Sequence, residues 1–330
     1  MSNFVHYEVK DRVAVLTIDN PPVNALGQGV WEAIQDAVAQ ANADPNADAM
    51  VLIGAGTTFV AGADINVFKT LKTRELSLAR SENSHAVLKR LEDSAKPLVA
   101  AIHGNALGGG LELAMSCHFR VAAKDAKVGQ PEVLLGIIPG AGGTQRLPRL
   151  APIDLAITMC TDGKPVPAPK AAAAGIIDKV IDGDLLTGAI AFAKEKAAAK
   201  QIRKTRDITF TAEQSKAGLE TAAKMRAAFK APKGVRAPFA AIDAIEASQT
   251  MPFDEGSRRE RELFAECVLS TESKAMRHLF FAEREAAKVP DVPKDTPIAD
   301  IKRAAVVGVM SAIVFASWSA VILPFDIVTS

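Results

Sequence analysis

Four short apolar runs punctuate the first part of the chain: VAVLTI from Val13, AMVLIGAG from Ala49, LVAAIHG from Leu98 and FRVAAKDAKVG from Phe119. Each reads as a strand, rich in β-branched residues and closed by turn formers. Helical periods lie between them. Trp31, Ile34 and Val38 share one face over Trp31 to Ala43, and Val87, Leu88 and Leu91 share one over Ser81 to Asp93. Apolar strands alternating with helices point to parallel pairing in an α/β domain.

The rest of the chain sets the outer limits. Its 330 residues suit one large domain or two small ones, long enough to bury a proper core. A net charge of +1 advertises neither a nucleic acid nor an anionic membrane as partner. Cys117, Cys160 and Cys267 are widely spaced, with neither a disulfide framework nor a metal-binding pattern, so reduced thiols and a cytoplasmic location are expected. The N-terminus lacks the basic start and apolar run of a signal peptide. It reads as strand, turn, strand, closed by Asn20-Pro21-Pro22.

From about residue 185 the texture turns helical. TGAIAFAKEKAAAK and residues 212–230, 237–249 and 256–288 read as helices, separated by KAPKGVRAP and QTMPFDEGS. KVPDVPKDTP, from Lys288 to Pro297, reads as a linker. Ala304 to Phe325 carries no charge and follows Lys302-Arg303. It fits either a membrane anchor or the strand–helix–strand start of a nucleotide-binding domain.

Two glycine-rich stretches each carry an isolated carboxylate: HGNALGGGLELA with Glu112, and GQPEVLLGIIPGAGGTQRL with Glu132. Glycine costs backbone entropy, so such clusters need a reason. Gly108-Gly109-Gly110 opens a helix, whose first N–H groups lack intrahelical partners and favour negative charge. A second N–H from the AGAD loop, Ala61 to Asp64, would complete an oxyanion hole, contributing about 3–4 kcal/mol per donor to an enolate. Glu112 and Glu132 would then be an acid/base pair, their pKa values raised by apolar neighbours. Blander readings stand beside this one: Glu112 as a partner of the helix dipole, Glu132 as a loop surface charge. GAGGTQ lacks the following Lys-Ser/Thr of a phosphate loop.

Taken in order, NPPVNAL, FVAGADI, HGNALGGGLELAMSC and GQPEVLLGIIPGAGGTQRLPRL resemble the enoyl-CoA hydratase/isomerase (crotonase) family over roughly residues 5–195. Beyond, PFDEGSRRERELF resembles the linker region of multifunctional fatty-acid oxidation enzymes, where a 3-hydroxyacyl-CoA dehydrogenase follows. The resemblance implies a crotonase-like core of ββα repeats forming a spiral over 1–195, a helical extension over 196–288, a Pro-rich linker over 289–303, and over 304–330 an apolar remnant of a Rossmann-type start. It implies Ala63 and Gly109 as oxyanion donors, Glu112 as the carboxylate that activates water, and Glu132 as the one that exchanges a proton with the α-carbon. Val23, Ala61, Gly62, Asp64 and Ile65 would line the coenzyme A path, with Gly140 beside the water. Asn66 stands near where some members carry a Lys.

The expected reaction is hydration of trans-2-enoyl-CoA in fatty-acid β-oxidation, with 3-enoyl-CoA isomerisation as a second activity. Other enolate chemistry (acyl-CoA hydrolysis or decarboxylation) and non-catalytic acyl-CoA binding are the alternatives. No cofactor and no metal are expected. NAD is excluded by the missing GxGxxG after Gly308. Protein partners implied by the resemblance are a second copy of the chain or a thiolase.

Overall fold

A computed structural model describes residues 4–230 and 234–286. The chain enters as a hairpin, β1 (Val5–Lys10) and β2 (Val13–Ile18), whose turn residues Asp11 and Arg12 both take positive φ. Then follow α1 (Val30–Ala43), β3 (Ala49–Gly54), α2 (Arg74–Glu92), β4 (Leu98–Ile102), β5 (Asn105–Leu107), α3 (Gly109–Ser116), β6 (Phe119–Ala123), β7 (Lys127–Gly129), α4 (Gly143–Leu150) and α5 (Ile153–Asp162). The pair β8 (Val166–Pro167) and α6 (Ala168–Ala173) leads to β9 (Lys179–Ile181) and α7 (Leu185–Ala198). Four helices close the described chain: α8 (Ala212–Ala228), α9 (Ala237–Thr250), α10 (Phe253–Leu269) and α11 (Thr271–Ala286).

The main sheet runs β1-β2-β3-β4-β6-β9, parallel except for the β1–β2 hairpin, and a small second sheet runs β5-β7-β8. Each turn of the chain lays one strand in the main sheet, one in the small sheet, and then a helix: β4, β5, α3, followed by β6, β7, α4. Val60 bridges Ala106 of β5, so the turn from β3 to α2 touches the small sheet as well. This is the ββα spiral of the crotonase fold.

The central strands are mostly apolar because both faces are covered, and the buried Arg120 of β6 donates to the carbonyls of Ile176 and Cys117. Alternate residues Leu16, Met50, Leu52 and Leu98 enter the large core beneath α1 and α2. Val13, Val51, Val99 and Val121 face the other way, against Ala189, Phe192 and Ala193 of α7. Each fully buried side chain of this size contributes roughly 1.5–3 kcal/mol. The functional loops leave from the carboxyl ends of β3, β4 and β6. That is how carboxylates distant in sequence meet, and it is where open α/β sheets bind ligands.

Helix boundaries differ most from expectation at two points. α2 starts at Arg74, not Ser81, with Thr73 capping it (Leu76 N to Thr73 Oγ1, 3.3 Å). Its buried face carries Ser77, Ser81 and Ser84, which erase the apolar period there. The expected long helix over 256–288 is two helices. Ser270 ends α10 in an extended conformation, and its Oγ accepts from Ser273 N at 3.0 Å to start α11.

The described residues up to Ala282 form the first of two units and are compact. Helices α9 and α10 belong to the first, packed on α2, α4 and α5. The expected linker over 289–303 and apolar tail over 304–330 lie outside the described residues. Among the described residues no helix is long and apolar enough to cross a membrane.

Candidate active site

α3 begins at Gly109, two residues before the expected Leu111. Gly108 takes φ 52° and ψ −125°, a conformation closed to side-chain-bearing residues, and a Cβ there would lie 2.7 Å from Glu132 Oε1. Gly110 packs so closely on Val60 that a Cβ would meet the Val60 carbonyl at 2.2 Å. These glycines let the first turn of α3 press against the FVAGADI loop.

That contact brings two backbone donors together. A Cβ on Gly109 would sit 3.5 Å from Ala63 N. Both residues line one cavity, and among the described residues neither N–H has an acceptor. Gly109 is the first residue of α3, whose N–H has no intrahelical partner. Two unpaired N–H groups on one cavity wall can hold a developing oxyanion.

Glu112 lies in the first turn of α3, and only 3% of it is exposed. Its Oε1 accepts from Ala141 N (2.7 Å) and Gly143 N (2.8 Å). Burial pushes its carboxyl up to about 8, the charge of Glu260 adds to the rise, and the two N–H groups and Arg146 oppose it. Gly143 is needed for this hold: a Cβ there would lie 2.9 Å from Glu112 Oε1.

Glu132 stands in a short 3₁₀ turn, Pro131–Leu135, partly open to the same cavity. The Gln130 amide, with its nitrogen toward Glu132, donates at 3.2 Å to both carboxylate oxygens. Enclosure raises this carboxyl well above the usual carboxylate range, and the charges of Glu112 and Glu260 raise it further. The charge of Glu112 thereby couples the titration of Glu132 to its own. One such carboxyl in its acid form beside one in its base form is the arrangement for general acid–base work.

Ala61, Gly62, Ile65 and Gly140 line the cavity with the two glutamates, between apolar walls of Trp31, Phe68, Leu135, Ile137 and Phe264. Val23 and Asp64 do not. Val23 is 41% exposed, and its carbonyl accepts from Ala61 N at 3.1 Å. Asp64 caps the 3₁₀ helix Ile65–Lys69, accepting from Asn66 N at 3.0 Å. The Asn66 carbonyl in turn accepts from Lys69 Nζ at 2.9 Å, which places an ammonium group beside the Asn66 position. Among the described residues no group of three or more His, Cys, Asp or Glu side chains is arranged to hold a metal.

Sequence reasoning missed the support behind the two glutamates. Glu260 and His85 lie buried beside the Gly140–Thr144 loop, and Glu92 pairs with Arg146 at 2.9 Å beneath it. Phe264 of α10 fills the space above Gly140, where a Cβ would meet its ring at 2.6 Å.

Comparison with known proteins agrees with this geometry. The family model described as enoyl-CoA hydratase/isomerase matches residues 8–284. This chain belongs to the enoyl-CoA hydratase/isomerase family. It is 41% identical over 85% of its length to a peroxisomal bifunctional enzyme of Danio rerio, 38% of which it covers. It is 45% identical over 53% of its length to a probable enoyl-CoA hydratase of Bacillus subtilis, covering 68% of that protein. A crystal structure of an enoyl-CoA hydratase subunit from Geobacillus kaustophilus superposes with a TM-score of 0.55 at 28% identity, covering 85% of this chain and 95% of that one. The chain thus spans about two fifths of the length of its bifunctional relative. The enoyl-CoA hydratase/isomerase match runs through α10 into α11, so the helices carrying Glu260 and Phe264 lie within it.

Proposed function

We propose that the chain adds water to trans-2-enoyl-CoA to give 3-hydroxyacyl-CoA in fatty-acid β-oxidation, with 3-enoyl-CoA to 2-enoyl-CoA isomerisation as a second activity. One observation carries the reading: two unpaired N–H groups and two carboxylates of raised pKa face one apolar-walled cavity. In the proposed course, Glu112 takes a proton from water as the water oxygen bonds to the β-carbon. The displaced C=C electron pair moves onto the thioester oxygen, held by Ala63 N–H and Gly109 N–H. Glu132 then gives its proton to the α-carbon and the enolate collapses. Isomerisation needs only Glu132, which removes the α-proton and returns it at the γ-carbon.

Atoms and charge balance among substrate, water and the two glutamates, so the proposal includes neither metal nor NAD. The Danio rerio relative is named peroxisomal, so a peroxisomal site of action replaces the cytoplasmic one in this reading. A second copy of the chain and a thiolase remain the proposed partners, separable by light scattering with and without the thiolase.

The test is hydration of crotonyl-CoA by the purified full chain, followed by loss of the enoyl thioester's ultraviolet absorbance, with and without NAD. Activity indifferent to NAD is expected. No hydration together with tight acyl-CoA binding would favour a non-catalytic binder. Release of free coenzyme A would favour hydrolysis.

A further inference from the structure

The loop between Gly140 and α4 shares its donors between two carboxylates. Ala141 N and Gly143 N go to Glu112 Oε1. Gly142 N (2.7 Å) and Thr144 N (3.0 Å) go to Glu260, one to each oxygen. Glu260 comes from α10, is fully buried, and also accepts from Thr144 Oγ1 and from His85 Nε2 at 3.0 Å. Four donors fix the carboxylate, and the carboxylate fixes the loop. Phe264, one turn further along α10, packs on Gly140 and lines the cavity.

We propose that Glu260 is a positioning residue for Glu112: by taking the alternate N–H groups of residues 141–144 it sets the other two on the water-activating carboxylate. The proposal rests on the hydratase reading and extends it to α10, a helix more than a hundred residues downstream of both catalytic glutamates. Its charge adds to the enclosure that raises both Glu112 and Glu132. Other ionisable groups lie around this cluster, and Arg80 of α2 lines the cavity itself. α2 contributes His85, bonded to Glu260, and Glu92, paired with Arg146 of α4. α5 contributes the buried Cys160 thiol, itself pushed up by burial and by the three glutamates. On α9, Asp243 and Glu246 pair with Arg226 of α8, and on α10 Arg259 pairs with Glu262.

The experiment compares Glu260→Gln and Glu260→Asp with the wild-type full chain in crotonyl-CoA hydration across about pH 6 to 9. Glu260→Gln should lower kcat about tenfold or more with KM held within about twofold, and should move both limbs of the pH profile toward acid by about one pH unit. Glu260→Asp, which keeps the charge, should recover part of kcat and leave the limbs in place. Lost kcat with unmoved limbs in Glu260→Gln marks a merely structural lesion and overturns the proposal, as does a wild-type profile. If Glu260→Gln does not fold, Glu260→Asp decides: reduced kcat at constant KM supports positioning, and wild-type kcat overturns it. If the wild type itself does not hydrate crotonyl-CoA, the functional reading fails separately. Melting temperatures then test the coupling. Glu112→Gln should stabilise less in the Glu260→Gln background than in wild type at pH 7, and equal gains overturn the proposal.

Discussion

Replacing Glu112 by Gln should make the protein more stable at neutral pH while disabling it. Gln keeps an oxygen where Oε1 now accepts from Ala141 N and Gly143 N, so the loop loses no acceptor. What it removes is a proton equilibrium. Burial lifts the Glu112 carboxyl from 4.5 to about 8. Below pH 4.5 native and unfolded chains both hold the proton, and nothing is gained or lost. Between 4.5 and 8 the unfolded chain releases a proton that most native chains retain, so native stability falls as pH rises, and the ionised Glu112 that takes a proton from water is a fraction that grows toward pH 8. Each pH unit in that window costs about 1.4 kcal/mol. By pH 7 the native state has given up roughly 3 kcal/mol that a Gln never loses. For a unit of this size that is roughly 6 °C in melting temperature. Melts of wild type and Glu112→Gln at about pH 5, 6, 7 and 8 should therefore diverge steadily, starting from near coincidence. A gap independent of pH, or a variant less stable than wild type at pH 7, would refute the burial argument and the acid/base assignment built on it.

Three further outcomes follow from the same geometry. Glu112→Gln and Glu132→Gln should each cut hydration by about 100-fold or more; with a 3-enoyl-CoA, Glu132→Gln should also abolish isomerisation while Glu112→Gln spares more of it. Gly109→Val places its Cβ 3.4 Å from Leu26 and 3.5 Å from Ala63 N. It should lower kcat by about 100-fold, the scale of one lost oxyanion donor, in a protein that still folds by circular dichroism. Arg146→Met takes from the fully buried Glu92 its nearer ion-pair partner, at 2.9 Å, and leaves it Arg206, whose guanidinium lies 3.8 Å away and whose backbone N–H donates at 2.9 Å. Chemical denaturation should show a loss of about 3 kcal/mol, the low end for a broken buried pair because Arg206 remains, and well beyond what the exposed Arg12–Asp48 pair would cost on the same change.

The parts of this molecule legible in the sequence are those where local composition and tertiary demand coincide. The strands read as strands because both faces are buried, so Val13 to Ile18 needs no polar alternation. The glycine runs read as special because Gly108 and Gly110 answer to contacts within the motifs themselves, with Glu132 and with Val60. The start of α2 was hidden because its inward face carries serines, one of which, Ser81, donates to the Gly140 carbonyl. Polar residues that face an active-site loop look, in sequence, like residues that face water. Glu260 was hidden for the same reason, yet α10 leaves a trace. Gly256, Ser257, Leu263, Phe264, Cys267 and Val268 form a buried stripe at helical spacing, and Glu260 stands in the middle of it. A carboxylate at a core position of an amphipathic helix is costly unless donors meet it. Such a residue predicts its own partners: backbone N–H groups with no other acceptor. The GAGGTQ loop supplies them in excess of what Glu112 alone can take, which is why so glycine-rich a stretch, lacking any phosphate-loop Lys, is built where it is.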